Sequence, residues 1–462
     1  MQQTQWNTSQ IRQCNQLLNQ AMLNGEHLPV SFQHDFGHLK SSQPAAVFIP
    51  SDAAELKQII LYANQHGLPV TIRGNGMSQC GQSLPLPNGL VIGMSNFNRV
   101  DEPAQQSVWV DANASWADLL AKTMQQKLVP KVVPYNCNLS VAGVLSAGGV
   151  GAASFRYGSA VANVNELEVM TASGELQQVN ETSPLMQACL GGQGRFGIIT
   201  KANIALRACK SHVRTFFLLY LDKDNWLNAI EQFKGKADYM ESFCSPAVQG
   251  AKLAGDRRLP FAQWFYALHV SIEFDKNPPE FAEFNTNPEP WKILYTQDET
   301  IESYMHRHDS RFAAMKMTGQ WEQAHPWYEC FISRRQLGDN LDEVLNSLPL
   351  YYATVVQVVP VADLKHSNFF MLPDGSDCYS LMILTPGLTE ALIPGSLDAI
   401  KLLDNRFLDA GGKRYLSGYL GDKLSEEYWQ RHFGSRYQQW IELKKELDPQ
   451  GIFCSLLHNK KT

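Results

Sequence analysis

The stretch Arg73-Gly74-Asn75-Gly76-Met77-Ser78, continued by Gln79-Cys80-Gly81-Gln82, constrains this chain more than any other segment. It follows a β-like run, Leu68-Pro69-Val70-Thr71-Ile72, and precedes another, Gly89-Leu90-Val91-Ile92. A glycine-rich turn between two strands exposes backbone N–H groups, and the missing Cβ lets a ligand come close to the chain. With an arginine and a serine beside it, such a loop suits a pyrophosphate. A plain hairpin explains the same residues, because glycine turns are common. The loop has neither the GxGxxG fingerprint nor the GK[ST] of a P-loop.

Its company makes it specific. Downstream lie Leu139-Ser140-Val141-Ala142-Gly143-Val144-Leu145-Ser146-Ala147-Gly148-Gly149-Val150-Gly151 and Phe155-Arg156-Tyr157-Gly158. Leu190-Gly191-Gly192-Gln193-Gly194-Arg195-Phe196-Gly197-Ile198-Ile199-Thr200 follows. In this order the segments resemble the flavin domain of the p-cresol methylhydroxylase and vanillyl-alcohol oxidase superfamily, and within it the cytokinin dehydrogenases. The resemblance covers nearly the whole chain. It extends to His34-Asp35-Phe36-Gly37, to Gln320-Trp321-Glu322-Gln323-Ala324-His325-Pro326-Trp327, and to Pro360-Val361-Ala362-Asp363-Leu364-Lys365. Trp429-Gln430-Arg431-His432-Phe433-Gly434 and Asp448-Pro449-Gln450-Gly451-Ile452 resemble the closing helix and turn.

The resemblance implies FAD as cofactor. It places Arg73, Gly74, Asn75, Gly76 and Ser78 along the pyrophosphate, with Gln82 nearby. Ser140 and Ser146 match positions that touch the flavin. Gly143, Gly148 and Gly149 match places where the backbone passes close to it. Ile199 matches a contact to the adenine end, and Tyr415 matches a tyrosine near the flavin. Met77 stands where covalent relatives carry the histidine that anchors the flavin, and a thioether cannot form that link. The flavin is therefore expected to be noncovalent unless Cys80 or Cys137 substitutes; buried inert thiols are the simpler reading.

The family draws the substrate proton with an aspartate, and that position falls to Tyr135, with Asn136 beside it. Tyrosine has an ordinary pKa of about 10 and asparagine does not titrate. Tyr135 is thus a candidate hydrogen-bonding or acid–base group, or a residue that packs on the ring. Glu241, in Asp238-Tyr239-Met240-Glu241-Ser242, resembles a family glutamate at the mouth of the site, and a solvated strand residue is the plainer alternative. His325 reads as structural, with Trp321 and Trp327 as core or pocket wall. The family's closing Ser-Pro-Gly-Gln is replaced by Cys454-Ser455-Leu456-Leu457, which removes a glutamine contact to the flavin.

A chain of 462 residues exceeds a single core, so two or three domains are expected. Hydrophobic residues at 44%, charged residues at 18% and a net charge of −6 describe an ordinary globular protein with no basic stripe for nucleic acid. The first residues have no basic or apolar leader pattern, and no run has the ~18 apolar residues of a membrane span. Nine scattered cysteines without a CxxC read as reduced thiols of a cytoplasmic protein.

The fold class expected is α+β: a two-lobed PCMH-type FAD-binding domain at 1–210, with lobes of about 1–105 and 106–210, and a substrate or cap domain at 211–404. Residues 405–462 return to the FAD domain. A helix is expected at 52–65 with Ser51 as cap, another at 116–126 capped by Ser115, and a closing helix at 426–446. The runs 214–221, 265–274, 351–359 and 378–384 read as an antiparallel, half-exposed sheet with helices on one face, and 285–290 as a loop. The function expected is an FAD-dependent oxidoreductase. It abstracts hydride from a C–H next to nitrogen or oxygen of a small, largely unsaturated substrate, a cytokinin-type amine or a secondary metabolite. O₂ or another acceptor then reoxidises the flavin. The alternative is a non-catalytic flavin- or ligand-binding descendant.

Overall fold

The computed structural model describes residues 5–458 except 285, 350, 351, 353, 365–368, 376, 422 and 423. Asn285, Tyr351 and Lys365 of the segments above lie outside the described residues. Three sheets organise the chain. The first is parallel, with Leu90–Gly93 between Ala46–Phe48 and Val70–Arg73. The flanking helix Ala53–His66 turns Leu56, Ile59, Ile60 and Ala63 inward. Its cap is Asp52, whose carboxylate accepts from the N–H groups of Ala54 and Glu55; Ser51 is not the cap. An aspartate there satisfies two of the orphan donors of the first turn. The chain's end joins this sheet: Val70 N–H donates to Ile452 O at 2.8 Å and Cys454 N–H to Val70 O at 3.0 Å.

In the second sheet the long strand Ile198–Ala208 lies between Ser107–Asp111 and Val164–Met170, with Leu176–Asn180 outside. Ser115 caps helix Trp116–Thr123 through a reciprocal box with Asp118, and the last turn, Met124–Gln126, tightens to a 3₁₀ helix.

The third sheet is antiparallel and eight-stranded. Its strands run in space Lys292–Thr300, His212–Tyr220, Arg257–Phe274, Tyr239–Ala254, Val355–Val361, Cys378–Leu384, Tyr328–Ser333 and Lys413–Arg414. One face carries Leu268, Val358, Leu381 and Cys330 in register, and helices Lys223–Phe233, Arg334–Ser347 and Ile393–Phe407 bury apolar stripes beside it. The other face carries Glu241 opposite His269, and Gln357, Met382 and Glu329 in one row. The sheet's centre is buried on both faces: every residue of Cys378–Leu384 is buried, where a half-exposed strand was expected. The closing helix is two helices. Gly434, at φ +53°, separates Glu426–Phe433 from Tyr437–Leu447, since a positive φ that glycine tolerates departs from helical geometry.

Candidate active site

A cavity of about 1070 Å³, part of it open to solvent, lies where the first two sheets meet the segment 415–417. The glycine-rich loop supplies one wall through Gly74, Asn75, Gly76, Met77 and Ser78, with Gln82 behind them. Ser140, Gly143 and Ser146 supply a second, Ile199 a third, and Tyr415 the far side. Arg73, Gly148, Gly149, Tyr135 and Glu241 are not on these walls.

Among the described residues, the backbone N–H groups of Asn75, Gly76, Met77 and Ser78, which line the cavity, make no hydrogen bond. Among the described residues no charged side chain lines the cavity. Arg73 stands behind the loop, donating to Ser31 O at 2.7 Å and His34 O at 2.9 Å. It packs against Gly76, where an added Cβ would lie 2.1 Å from the guanidinium, at φ +69°. Gly76 is therefore glycine for the sake of Arg73 as well as any ligand. At Gly74 a Cβ would lie 2.5 Å from Ser140 Oγ. These free donors and the close glycine walls fit the pyrophosphate and ring system of FAD.

The loop is clamped from outside. Asp35 Oδ2 accepts from Ser78 Oγ at 2.9 Å and from Gly81 N–H at 2.8 Å. Phe36 N–H donates to Gly76 O, and Gly37 N–H to Ser78 O. The Phe36 ring stacks on His325 at 4.1 Å, and His325 bonds Phe36 O and Pro386 O. Burial pushes the His325 ring down to about 4, against the pull of the two carbonyls, and a neutral ring donates to only one of them; its place between them is structural. Gly148 and Gly149 serve packing: a Cβ there would meet Phe370 at 2.1 Å and Ala160 at 2.6 Å. Gly149 N–H also donates to Tyr415 Oη at 2.9 Å, fixing a hydroxyl on the cavity wall.

Tyr135 joins this cavity to the eight-stranded sheet. It packs in one cluster with Ala147 and Tyr415, which line the cavity, and with Phe331, Val359 and Met382 of the sheet. Its hydroxyl is buried without a hydrogen-bond partner, as are Gln357 Nε2 and Ser380 Oγ on the sheet. Burial raises the phenol well above 10, with the Glu241 charge adding to it, so Tyr135 keeps its proton. The Tyr135 ring meets His308 edge-on at 5.3 Å.

Glu241 is held, not solvated. Its oxygens accept from Arg307 Nε at 2.8 Å and pair with His308 Nε2 at 2.7 Å. Burial alone would raise this carboxyl, but the Arg307 charge and the His308 ring keep it well below the usual carboxylate range. Glu329, in the same face, has the opposite fate. Burial pushes it up to about 7, against the hydrogen bond from Ser417 Oγ at 2.7 Å. Ser417 lines the cavity.

Sequence reasoning missed Glu329, Ser417, Gln193, Asn113 and the pair Arg307–His308. Gln193 sits one residue from the glycines that were singled out, and Glu329 two residues past Trp327, so proximity to those segments was the only signal. Cys80 and Cys137 are buried off the cavity, their thiols turned to Gly421 O and Met305 O. Burial raises both, Cys137 to about 12.

Comparison with known proteins agrees with this geometry. Residues 44–180 match the FAD binding domain family, and 287–455 match "Cytokinin dehydrogenase 1, FAD and cytokinin binding". Cytokinin dehydrogenase 9 of Oryza sativa subsp. japonica is 28% identical over 91% of this chain and 87% of its own length. Cytokinin dehydrogenase 3 of Arabidopsis thaliana is 27% identical over 90% and 86%. An uncharacterized oxidoreductase of the fasciation locus of Rhodococcoides fascians is 26% identical over 91% and 94%. The chain is an FAD-linked oxidoreductase, cytokinin dehydrogenase-like, of the vanillyl-alcohol oxidase and p-cresol methylhydroxylase superfamily.

Proposed function

We propose that the enzyme removes hydride from a C–H bond next to nitrogen or oxygen of a small, largely unsaturated molecule, of which a cytokinin-type amine is the first candidate. FAD held in the cavity without a covalent link would supply the hydride acceptor, with O₂ or another acceptor as the final oxidant. The observation that supports this reading is the placement of Tyr135. It stands between a cavity with free N–H donors and a sheet face with unpartnered polar atoms, Gln357 Nε2 and Ser380 Oγ.

In this reading the N–H groups of Asn75 to Ser78 hold the pyrophosphate, and Ser140, Ser146 and Tyr415 hold the flavin end. Tyr135 donates a hydrogen bond that orients the reacting nitrogen or oxygen. Residues 1–210 and 405–462 form the cofactor domain, and 211–404 the cap. Noncovalent binding is supported by the absence of cysteine and histidine from the cavity wall among the described residues. Among those residues no helix is long and apolar enough to cross a membrane. We place the protein in the cytoplasm because the nine cysteines are free.

Acid precipitation of the purified protein should release the flavin into the supernatant; colour retained in the pellet would show a covalent link. An N⁶-alkenyl adenine, or an allylic alcohol or amine, should bleach the flavin anaerobically. Tyr135→Phe should slow that reduction ~10-fold or more with FAD content unchanged, since a hydrogen bond to a reacting group is worth ~1.5–3 kcal/mol. Reduction at the wild-type rate would remove Tyr135 from the mechanism.

A further inference from the structure

Neither residue that the sequence suggested can take the substrate's proton. Tyr135 is kept protonated by burial. Both oxygens of Glu241 are occupied by Arg307 and His308. Yet removal of hydride from a carbon bearing N–H or O–H leaves a proton that some group must accept.

We propose that Nδ1 of His308 is that acceptor, and that Glu241 is the residue that positions the ring; this rests on the hydride-transfer reading above. The ionised Glu241 carboxylate can only accept hydrogen bonds, so His308 Nε2, 2.7 Å away, must carry a proton. In the neutral ring Nδ1 then holds the lone pair. Among the described residues Nδ1 has no hydrogen-bond partner, and the His308 side chain is 22% exposed where Glu241 is 5%. The imidazole thus turns its bonded edge to the buried carboxylate, and its ring lies against Tyr135, whose own hydroxyl waits unpartnered. A carboxylate fixing the tautomer of a basic histidine is a general device.

The titratable groups around His308 are few. Glu241 faces it from strand Tyr239–Ala254, and His269 from the paired strand Arg257–Phe274. Tyr304, Arg307 and the His306–Asp309 pair adjoin it along its own segment, and Tyr135 faces it from the loop before Val141. His269 is the rival base. It is wedged between Phe217 at 4.4 Å and Phe243 at 5.2 Å, and burial lowers it to about 4.

The step balances. The N–H or O–H bond breaks and its proton moves to Nδ1. The electron pair of that bond forms the new C=N or C=O, and the C–H pair leaves as hydride to the oxidised flavin. The substrate is oxidised by two electrons, FAD is reduced by two, and His308 becomes imidazolium.

Ring ¹⁵N spectra of histidine-labelled holoenzyme at pH 8 should show His308 protonated at Nε2 and bare at Nδ1, and Glu241→Gln should weaken that bias. His308→Gln keeps an N–H for Glu241 but has no basic nitrogen. It should retain FAD, lose the rising limb of the pH–rate profile, and slow anaerobic reduction by an N⁶-alkenyl adenine or allylic alcohol or amine by ~10²–10⁴. A bare Nε2 in the wild type, a His308→Gln rate equal to wild type, or the same loss in His269→Gln instead would overturn the assignment. If Glu241→Gln does not fold, the wild-type spectrum and His308→Gln decide. If no probe reduces wild-type flavin, the hydride-transfer reading fails, and the tautomer measurement decides His308 by itself.

Discussion

Two glutamates on one sheet face, Glu241 and Glu329, have opposite protonation because their partners differ. Arg307 and His308 hold Glu241 ionised, whereas Glu329 receives one serine hydroxyl and feels Arg414, whose guanidinium is bonded to Asp404. Divergent environments of this kind are how one site separates acids from bases. Glu329 binds its proton more tightly in the folded chain than its ordinary value near 4.5 implies, up to about 7. Between those values the native state holds more protons than the unfolded chain, so stability falls as pH rises through the window. Glu329→Gln should abolish that fall. The variant should be more stable than wild type at pH 8, on the order of 3 kcal/mol at most, and similar near pH 4. Denaturant midpoints at both pH values check it; a variant less stable at pH 8 contradicts the buried neutral acid. The sequence pointed to Glu241 by its Asp238-Tyr239-Met240-Glu241 context, but its locking partners come from more than sixty residues downstream. A residue's charge state is a property of such distant neighbours, which no local pattern contains.

At the scale of elements, the segments 34–37, 74–81 and 324–327 are one construction. Asp35 ties the loop at Ser78 and Gly81, Phe36 and Gly37 bond its backbone, and His325 with Trp327 backs Phe36. Each segment was legible as a motif; their mutual contact was not, because it crosses from the first sheet to the third. The reach of the helices was legible within a residue or two, since caps and apolar spacing are local. The break at Gly434 was missed because the apolar spacing continues across it. The clamp predicts that Asp35→Ala loosens the loop without touching the ligand. It leaves the Gly81 N–H and Ser78 hydroxyl without their charged acceptor, each such bond being worth ~1.5–3 kcal/mol. FAD should bind at least ~10-fold more weakly, by ~1.4 kcal/mol or more. Released flavin fluorescence on dilution measures this. Unchanged retention would show that the loop holds its shape unaided.

Over the whole molecule, the cavity is assembled from chain regions far apart in sequence. Its walls come from Ile72, 74–78, 82–83, Met94, 112–113 and parts of 139–147, 193–199 and 415–417. The chain reaches the last of these only after building the eight-stranded sheet, and then closes onto the first sheet through Ile452 and Cys454. A ligand that fills the cavity therefore couples both ends of the sequence. A ligand that binds only the native state stabilises by ~2.7 kcal/mol at a hundred times its Kd. FAD added to the stripped protein should raise the melting temperature in a concentration-dependent way. More pointedly, amide exchange should slow together at 75–78, 139–147 and 415–417, since local opening of any wall frees the ligand. The segment 415–417 is the discriminating one. It is bound to the sheet through Tyr415 N–H on Glu329 O and to the cavity through the Tyr415 hydroxyl on Gly149. Protection that stops at 139–147 and leaves 415–417 unchanged would mean that FAD rests on the first two sheets alone. The route from flavin to Tyr135 and the cap would then have to be redrawn.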